Sequence, residues 1–533
     1  MQIRFDHVAR SSTWSKEAIM SEEIGVNPKH GRAGRHPTKA TLDALAGHGD
    51  PGMFGRMFPR LAPLSVADDK LRALADAMLD AGPAGGGNNP RVPAGFTYLG
   101  QFVDHDITLD LTSIGDKLED PTAVENFRTP ALDLDSIYGR GPDGSPHLYA
   151  RGPNNGPSAK LLIGKTTLGF QQNATDIAGV FPNDLPRSPE GQALIGDHRN
   201  DENLLVAQTH LAFMKFHNKV VDLLAASPTA PAPAELFFEA RREVTWHYQW
   251  LVLHDFVERL TEDGIVARIL NEGRQFYRFK KTPYMPVEFS GAAYRLGHSM
   301  VREVYSHNRV FTPGGLAPAS LGLLFAFSGL SGGIVGDLAP EPLTAPTPIS
   351  KLASNWIIDW RRFYDFGNNP PGVTLNQARS IDPFIVKALH TLPGGASLPF
   401  LNLKRGVMLG LPSGQSVARA MEVPNPLTSA EISSGTDGAV AKAQGLHEQT
   451  PLWYYILKEA SVREGGERLG PVGARIVAEV FIGLVHGDHE SYLWKKGPAW
   501  TPTLPSRTPG TFTMVDLLQF VGDVSPIDGV TQV

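Results

Sequence analysis

Hydrophobic residues recur at intervals of three and four positions in several long stretches of the chain, and this spacing predicts helices with one buried face. In residues 95–110 (GFTYLGQFVDHDITLD) the spacing is set by Phe96, Leu99, Phe102 and Val103. The same pattern predicts helices elsewhere. They cover residues 71–79, 202–224, 235–261, a segment within 286–304, 374–391, 414–422 and 470–485. Strand patterns are weak, so the predicted fold class is mainly α.

Stretches rich in turn-forming residues separate these helices. Residues 24–60, 81–93 and 111–200 have poor periodicity, which is typical of functional loops. No internal repeat or low-complexity linker divides the chain. We therefore expect residues 1–94 to form an N-terminal arm that wraps the body. Residues 95–533 are expected to form a single large helical domain with long loops and little β structure.

Composition narrows the function classes. The 533 residues are 41% hydrophobic and 20% charged, which is enough for a sizeable core. The net charge of −6 gives no reason to expect nucleic-acid binding. The absence of cysteine excludes disulfides, thiolate catalysis and cysteine-ligated haem or iron–sulfur clusters.

The first residues, MQIRFDHVARSSTWSKEAI, contain no apolar run of the signal-peptide type. No stretch approaches the roughly 20 apolar residues of a membrane span. We expect a soluble protein that is either cytoplasmic or exported by a leaderless route.

Candidate chemistry begins in residues 95–110, where burial of the apolar face draws Asp104, His105 and Asp106 toward the interior. A buried ionisable cluster is unfavourable unless a metal, a cofactor or paired charges compensate it. A solvated acidic helix end is the simpler interpretation of these three residues taken alone.

Other histidines differ in their surroundings. His210 and His217 are seven positions apart on one helix face, and positions in the core or on the surface are favoured over a ligand pair. His298 lies in AAYRLGHSM, where Gly297 allows another group to approach closely.

Two further segments place polar residues among apolar ones. Asn402 and Arg405 lie in LNLKRG, and Arg199 and Glu202 lie in GDHRNDE at the start of a predicted helix. A carboxylate at a helix start is favoured by the helix dipole alone.

Six segments in the same order resemble the animal haem peroxidase family, the myeloperoxidase and lactoperoxidase group of the peroxidase–cyclooxygenase superfamily. They are GQFVDHD, TPALDLDSIYG, GDHRNDE, AAYRLGHSM, LNLKRG and GARIVAEVFIGL, and they cover roughly residues 95–485. The resemblance implies an enzyme that binds haem b and calcium, reduces hydrogen peroxide and oxidises a second substrate. The lack of cysteine suits a bacterial member.

The resemblance assigns roles to five residues around the haem iron. His105 matches the distal histidine, Gln101 the distal glutamine and Arg199 the distal arginine. His298 matches the proximal iron ligand, and Asn402 matches the residue that accepts the hydrogen bond from its ring N–H. These roles suit the chemistry, since a neutral imidazole can move protons near pH 7 and a fixed cation can stabilise developing negative charge.

Further residues match groups that hold the haem. Arg295 and Arg405 are expected near the propionates, and Asp104 and Glu202 match the carboxylates that form ester links to haem methyl groups. Asn203 stands where myeloperoxidase has a methionine that supports chloride oxidation. The expected reductants are therefore small anions (bromide, iodide or thiocyanate) or aromatic donors. The family includes monomers and dimers, so the oligomeric state is left open.

A calcium site is indicated partly by the residues themselves. The segment TPALDLD alternates, so in extended form Thr129, Ala131, Asp133 and Asp135 point to one side. Carboxylate, hydroxyl and carbonyl oxygens are the ligands that calcium prefers, and Asp106 adds another carboxylate. These positions match the calcium loop of the family. An acidic turn without a metal is the alternative.

Three other functions are alternatives to a peroxidase. A fatty-acid dioxygenase of the cyclooxygenase type would carry a radical-forming tyrosine three residues before the proximal histidine, but that position is Arg295, and Tyr294 is four residues before. A non-catalytic adhesion or scaffold protein of this family should have lost His105, Arg199 or His298, and all three are present. A metal-dependent hydrolase built on the Asp-His-Asp cluster would leave His298 without a role.

Overall fold

A computed structural model of the protein agrees with the predicted fold class, because helices dominate and the strands are short. The structure describes residues 54–82, 87–108, 130–152, 155–168, 177, 179–280, 282–315, 317–326, 351–392 and 395–533.

The longer helices in the described ranges are numbered in chain order. They are α1 (Asp68–Ala77), α2 (Gly95–Ile107), α3 (Leu204–Ala225), α4 (Leu236–Leu251), α5 (Ile265–Glu272), α6 (Leu398–Met408), α7 (Gly414–Ala420), α8 (Gly435–Ala443), α9 (Leu452–Glu464), α10 (Pro471–Gly487) and α11 (Met514–Val521). Shorter α-helical turns are Asp135–Tyr138, Gly141–Gly144, Glu258–Leu260, Val287–Ser290, Leu321–Ala326, Lys387–His390, Ser429–Ile432 and Tyr492–Lys495. Turns of 3₁₀ helix are Pro146–Leu148, His198–Asp201, Ala293–His298, Ser354–Trp356, Trp360–Arg362 and Pro526–Asp528.

The strands of the described ranges pair only two by two. They are β1 (Phe54–Gly55), β2 (Asn88–Pro93), β3 (Tyr149–Arg151), β4 (Pro157–Leu161), β5 (Met285–Pro286), β6 (Val304–Tyr305), β7 (Ala319–Ser320) and β8 (Gln377–Arg379). β1 pairs in parallel with β5, and the antiparallel pairs are β2–β8, β3–β4 and β6–β7. Such small sheets cannot form the core, which the helices therefore supply.

Helix α3 is the central element of the fold. Its buried residues lie on all sides, as expected of a helix that other helices surround, and it contacts α2, α4 and α11. The Phe102 ring of α2 stacks on the Phe213 ring of α3 with 4.8 Å between centroids, and Tyr248 of α4 meets both rings edge-on. Three helices therefore meet at one aromatic junction.

Helix α4 changes its winding after Leu251. Residues Val252–Val257 form a π-helical segment, and Glu258–Leu260 returns to α-helix. The predicted helix over 235–261 is thus confirmed, with a wider turn near its end. Such π segments are frequent at functional sites.

Two of the predicted helices are not continuous helices in the structure. Within 286–304 the chain makes separate short turns, because the backbone leaves helical geometry at Ala292 (φ −140°, ψ −71°). Over 374–391 the chain begins as strand β8 and is helical only over Lys387–His390. Pro383 between them restricts the backbone of the residue before it and lacks an N–H donor.

The described part of the predicted N-terminal arm packs on the rest of the chain. Helix α1 contacts α6 and α8, and strand β1 pairs with β5. The boundary between residues 94 and 95 stays a prediction. Among the described helices, none has both the length and the apolar character needed to cross a bilayer.

A buried carboxyl group joins α9 to the start of α10. Oε2 of Glu459 accepts a hydrogen bond of 2.9 Å from the backbone N–H of Val472. The two elements come so close that a Cβ added at Gly470 would lie 2.4 Å from Cγ of Glu459. Burial raises the pKa of Glu459 to about 7, although the backbone N–H groups of Val472 and Gly473 oppose the shift.

We expect the stability of the protein to fall as Glu459 ionises. Its pKa is about 7 in the folded protein and about 4.3 in an unfolded chain. The stabilising contribution of this group is thus complete below pH ~4 and is lost as pH rises through 7. Relative to Glu459→Gln, the wild type should lose roughly 2–4 kcal/mol of unfolding free energy between pH 4.5 and 8.

Urea unfolding of both proteins across this pH range checks the prediction. The exposed Glu467→Gln variant serves as the control and should run parallel to the wild type. A difference between wild type and Glu459→Gln that is constant with pH would contradict it.

Candidate active site

A cavity of about 520 Å³ lies between α2, the start of α3, the π segment and the 3₁₀ turn Ala293–His298. Its volume is in the range of ligand and cofactor sites. His105 and His298 both line it, although they are far apart in the chain. Its walls are mostly apolar and include Phe96, Phe256, Leu296, Leu321, Leu389 and Leu398.

His105 is held from behind by a chain of buried side chains. Its Nδ1 lies 2.8 Å from Oδ1 of Asn200, and Nδ2 of Asn200 lies 3.0 Å from Nδ1 of His210. Because an amide oxygen only accepts, His105 carries its hydrogen on Nδ1 and leaves Nε2 with a lone pair. Burial, assisted by the positive charge of Arg199, lowers the pKa of His105 to about 4.

A second chain of hydrogen bonds lies beside His105 in the cavity. Nδ2 of Asn203 donates to Oε1 of Gln101 at 2.9 Å, and Nε2 of Gln101 donates to Oε1 of Glu202 at 2.5 Å. The same Glu202 oxygen lies 3.5 Å from Nε2 of His105. Since His105 is neutral near pH 7, this approach is not an ion pair. Burial raises the pKa of Glu202, while Arg199 and the Gln101 N–H oppose the shift.

His298 faces the cavity at the end of its 3₁₀ turn. Its Nδ1 lies 2.7 Å from Nδ2 of Asn402, which α6 supplies. The Asn402 amide nitrogen therefore donates, whereas the sequence predicts that Asn402 accepts. Rotation of the Asn402 amide by 180° exchanges its nitrogen and oxygen, so that the oxygen would accept a hydrogen bond from Nδ1 of His298. Burial, together with the charge of Arg295, lowers the pKa of His298 to about 3, so the imidazole is neutral.

Gly297, next to His298, also lines the cavity, and a Cβ added there would meet no atom within 4 Å. The space that the sequence analysis predicts beside this glycine is thus the cavity itself.

A smaller cavity of about 190 Å³ adjoins the first and is rich in charge. Asp104 and Arg295 line both cavities, while Arg199 and Arg405 line the smaller one. Thr108 donates from its hydroxyl to Oδ1 of Asp104 at 2.9 Å. Three guanidinium groups and one carboxylate make this region suitable for anionic groups.

Arg199 is bound by the protein itself. Its Nη2 donates to Oδ2 of Asp197 at 2.8 Å and to the backbone oxygens of His105 and Thr108 at 2.9 and 2.7 Å. These hydrogen bonds hold the C-terminal end of α2 in place. Arg199 does not line the larger cavity, so it acts there only through its positive charge.

Asp106 of α2 meets two further carboxylates outside the two cavities. Asp106, Asp133 and Asp135 each place one oxygen within 4.8 Å of the others, and Asp106 and Asp135 are buried. The predicted extended alternation is interrupted at Leu134, whose φ of +56° bends the chain so that its N–H donates to Asp106 at 3.2 Å.

The remaining predicted calcium ligands are less defined. Ala131 is buried in the same segment, and Thr129 lies outside the described residues.

The structure thus brings most predicted site residues to two adjoining cavities, and it adds residues that sequence reasoning missed. His210 and His217 lie in the core, one of the two placements left open by the sequence, and His210 also supports the distal side through Asn200. Asn203 has a visible signal, because asparagine directly before an apolar helix is a typical N-cap. Asn200 gives no comparable signal, since its contacts join distant segments.

Comparison with known proteins agrees with this geometry. Residues 110–313 match the family model of the animal haem peroxidase. The chain is 24% identical over 404 residues to thyroid peroxidase of Canis lupus familiaris, which covers 72% of this chain and 39% of that protein. It is 23% identical over 317 residues to chorion peroxidase of Drosophila melanogaster, covering 57% and 35%.

A shorter match, 33% identical over 125 residues, relates the chain to a peroxidase-like protein of Margaritifera margaritifera and covers 23% of this chain and 15% of that protein. The chain therefore spans well under half the length of each of these three relatives.

Solved structures share the fold. Peroxidase A from Dictyostelium discoideum superposes with a TM-score of 0.61 at 14% identity, covering 90% of this chain and 95% of that chain. A fatty acid alpha-dioxygenase from Oryza sativa superposes with a TM-score of 0.54 at 15% identity, covering 80% and 74%. At these identities the likeness concerns the fold alone.

Removal of the Asn200 side chain should weaken the protein, because it leaves the ring nitrogens of two buried histidines without their amide partner. We expect Asn200→Ala to lose roughly 2–4 kcal/mol of unfolding free energy, since an unsatisfied buried polar group costs about 1–3 kcal/mol. Urea unfolding followed by circular dichroism measures the loss. The exposed Asn271→Ala variant is the control, and an equal, small effect of both substitutions would refute the prediction.

Proposed function

We propose that the chain is a haem-dependent peroxidase, because residues 110–313 match the animal haem peroxidase family model and its relatives include chorion and thyroid peroxidases. It reduces hydrogen peroxide and oxidises small anions such as bromide, iodide and thiocyanate, or aromatic donors. The observation that carries the proposal is one cavity lined by two neutral histidines from distant parts of the chain, His105 and His298.

The residues around the cavity fit a haem b. Its apolar walls suit the porphyrin faces, and the arginines of the adjoining cavity suit two propionates. His298 would hold the iron through Nε2, because burial keeps its imidazole neutral. Ligation then places its hydrogen on Nδ1, and Asn402 would accept it after the half-turn of its amide.

His105 is the proposed proton-transfer group of the distal side. Its Nε2 is unprotonated near pH 7, so it can take a proton from peroxide and return it to the departing oxygen. Bound haem would supply the electrons for cleavage of the O–O bond. Gln101 offers an N–H group in the same cavity. The positive charge of Arg199, which is bound to the backbone oxygen of His105, favours the neutral imidazole and stabilises developing negative charge.

Asp104 and Glu202 are the proposed sites of ester links to the haem. Both carboxylates line the cavity. Joining a carboxylate oxygen to a haem methyl carbon breaks one C–H bond and removes one proton and two electrons, and hydrogen peroxide would be the oxidant that accepts the electrons.

The carboxylates of Asp106, Asp133 and Asp135 are proposed to bind calcium together with Thr129 and the carbonyl of Ala131. Three acidic groups within 4.8 Å repel one another, and a divalent cation removes this repulsion. Asp106 directly follows His105, so the ion would brace the distal helix.

A fatty-acid dioxygenase is the second candidate, and one contact favours it. Tyr294 lines the cavity, and its hydroxyl donates to the backbone oxygen of Gly100 at 3.0 Å. Consumption of oxygen with a fatty acid, abolished by Tyr294→Phe, would support this candidate over a peroxidase.

The first test is an absorption spectrum of the protein expressed with haem supplied. We expect a Soret band that shifts on addition of peroxide. His298→Gly should change the band, and added imidazole should restore it, because the small ligand can enter the vacated space. His489→Ala, an exposed control, should match the wild type.

Two further results complete this test. Haem that stays with the protein in acidified acetone after turnover, and is released from Asp104→Asn and Glu202→Gln, would support the ester links. A folded protein that shows no Soret band would refute the haem assignment.

Calcium should raise the thermal stability of the protein. Calcium at about 100 times its dissociation constant should add about 2.7 kcal/mol to the unfolding free energy. A chelator should remove this gain, and Asp133→Asn should lose most of it. Thermal melts with calcium or chelator measure the effect, with the exposed Asp143→Asn as the control. Identical melts of the wild type under both conditions would rule out a calcium site of useful affinity.

A further inference from the structure

Asn203 makes two hydrogen bonds whose directions are linked. Its side chain is buried, and Oδ1 accepts from the backbone N–H of Val206 at 2.9 Å, which caps the start of α3. A backbone N–H can only donate, so this contact fixes which end of the Asn203 amide is the oxygen. The nitrogen must then point the other way, toward Gln101.

The orientation of the Asn203 amide fixes the orientation of the Gln101 amide next to it. Nδ2 of Asn203 can only donate, so the group 2.9 Å away must be the oxygen of Gln101. The nitrogen of Gln101 then faces Oε1 of Glu202 at 2.5 Å and donates to it. Reversal of either amide would bring two donors or two acceptors together.

The end of the chain lies beside the distal histidine. Glu202 Oε1 is 3.5 Å from His105 Nε2, and Gln101, Glu202 and His105 all line the larger cavity. One hydrogen of the Gln101 nitrogen serves Glu202, and the second is available to an anion or a peroxide oxygen in the cavity.

We propose that Asn203 is a positioning residue of the distal side: it orients the Gln101 amide so that N–H, and not the carbonyl, faces Glu202 and the cavity. The helix cap of α3 thereby determines that the site presents a donor to anionic ligands. The functional part of this inference rests on the proposed haem peroxidase.

Three variants separate this role from capping. Asn203→Asp and Asn203→Ser keep an oxygen that can cap α3. The carboxylate of Asn203→Asp offers Gln101 only acceptors and competes with Glu202 for its N–H groups, whereas the hydroxyl of Asn203→Ser ends one bond short of the amide nitrogen that it replaces. Both variants therefore lose the contact that fixes the Gln101 amide, and Asn203→Ala also loses the cap.

The first readout needs no haem. Protein labelled with ¹⁵N-glutamine gives a side-chain amide signal for Gln101, assigned by its loss in Gln101→Ala. This signal should move in Asn203→Asp and Asn203→Ser, while the melting temperature changes less than in Asn203→Ala. An unmoved signal in both variants would overturn the proposal and leave Asn203 as a helix cap only.

The second readout uses azide as the anionic probe of the haem-loaded protein. Azide affinity, read from the Soret band, should fall about tenfold in Asn203→Ser, which leaves the charge of the site unchanged; this is the loss expected for one hydrogen bond. In the Gln101→Ala background Asn203→Ser should have no further effect. An equal loss in that background would show that Asn203 does not act through Gln101 and would overturn the proposal.

The two readouts distinguish the possible failures. A moved amide signal in a protein that takes up no haem would refute the proposed function while supporting the orienting role of Asn203. Bound haem with an unmoved signal would refute the orienting role alone.

Discussion

The stack of Phe102 on Phe213 is the contact on which the site depends, because it sets the rotation of α2 about its axis. The same helix carries Gln101 and His105 toward the cavity and Asp106 toward the carboxylate cluster. Successive residues of a helix point about 100° apart, so a small rotation would move all three from their places. An aromatic pair contributes about 0.5–1.5 kcal/mol beyond its buried area. Its larger effect here is to fix geometry.

Burial has opposite effects on the two kinds of ionisable group in the cavity. It keeps His105 and His298 neutral, and it raises the pKa of Glu202. Each group also has a partner that fixes its direction, with Asn200 behind one histidine and Asn402 behind the other. Side-chain amides, rather than ion pairs, therefore fix the orientation of the two histidines. Amides set direction without adding charge, which suits a cavity that is to receive a polar ligand in apolar surroundings.

The sequence predicts features that depend on neighbouring residues, but not features that depend on contacts between distant segments. Helices α3 and α10 are predictable because each is a long, mainly apolar stretch, which is buried on nearly all sides in the folded chain. The segment around His298 is not, since its short turns follow from packing against α9, where the Trp453 ring N–H donates to the Arg295 backbone oxygen at 3.2 Å. The motifs predict which residues meet at the cavity. They do not predict the partners of Arg199, because its contacts with the end of α2 require the folded chain.

The π segment after α4 has a consequence for how the chain can vary in length. Within it Phe256 reaches the cavity, while the neighbouring Asp255 accepts from the backbone N–H of Met514 at the start of α11. Both placements depend on one wide turn. A π turn holds about one residue more than an α turn, so deletion of a single residue there would restore a regular α-helix, leave the residues beyond it in place and re-aim those within the turn. Side-chain changes at this place can be gradual, but a change of length would move Phe256 from the cavity wall and Asp255 from the C-terminal helix in a single step.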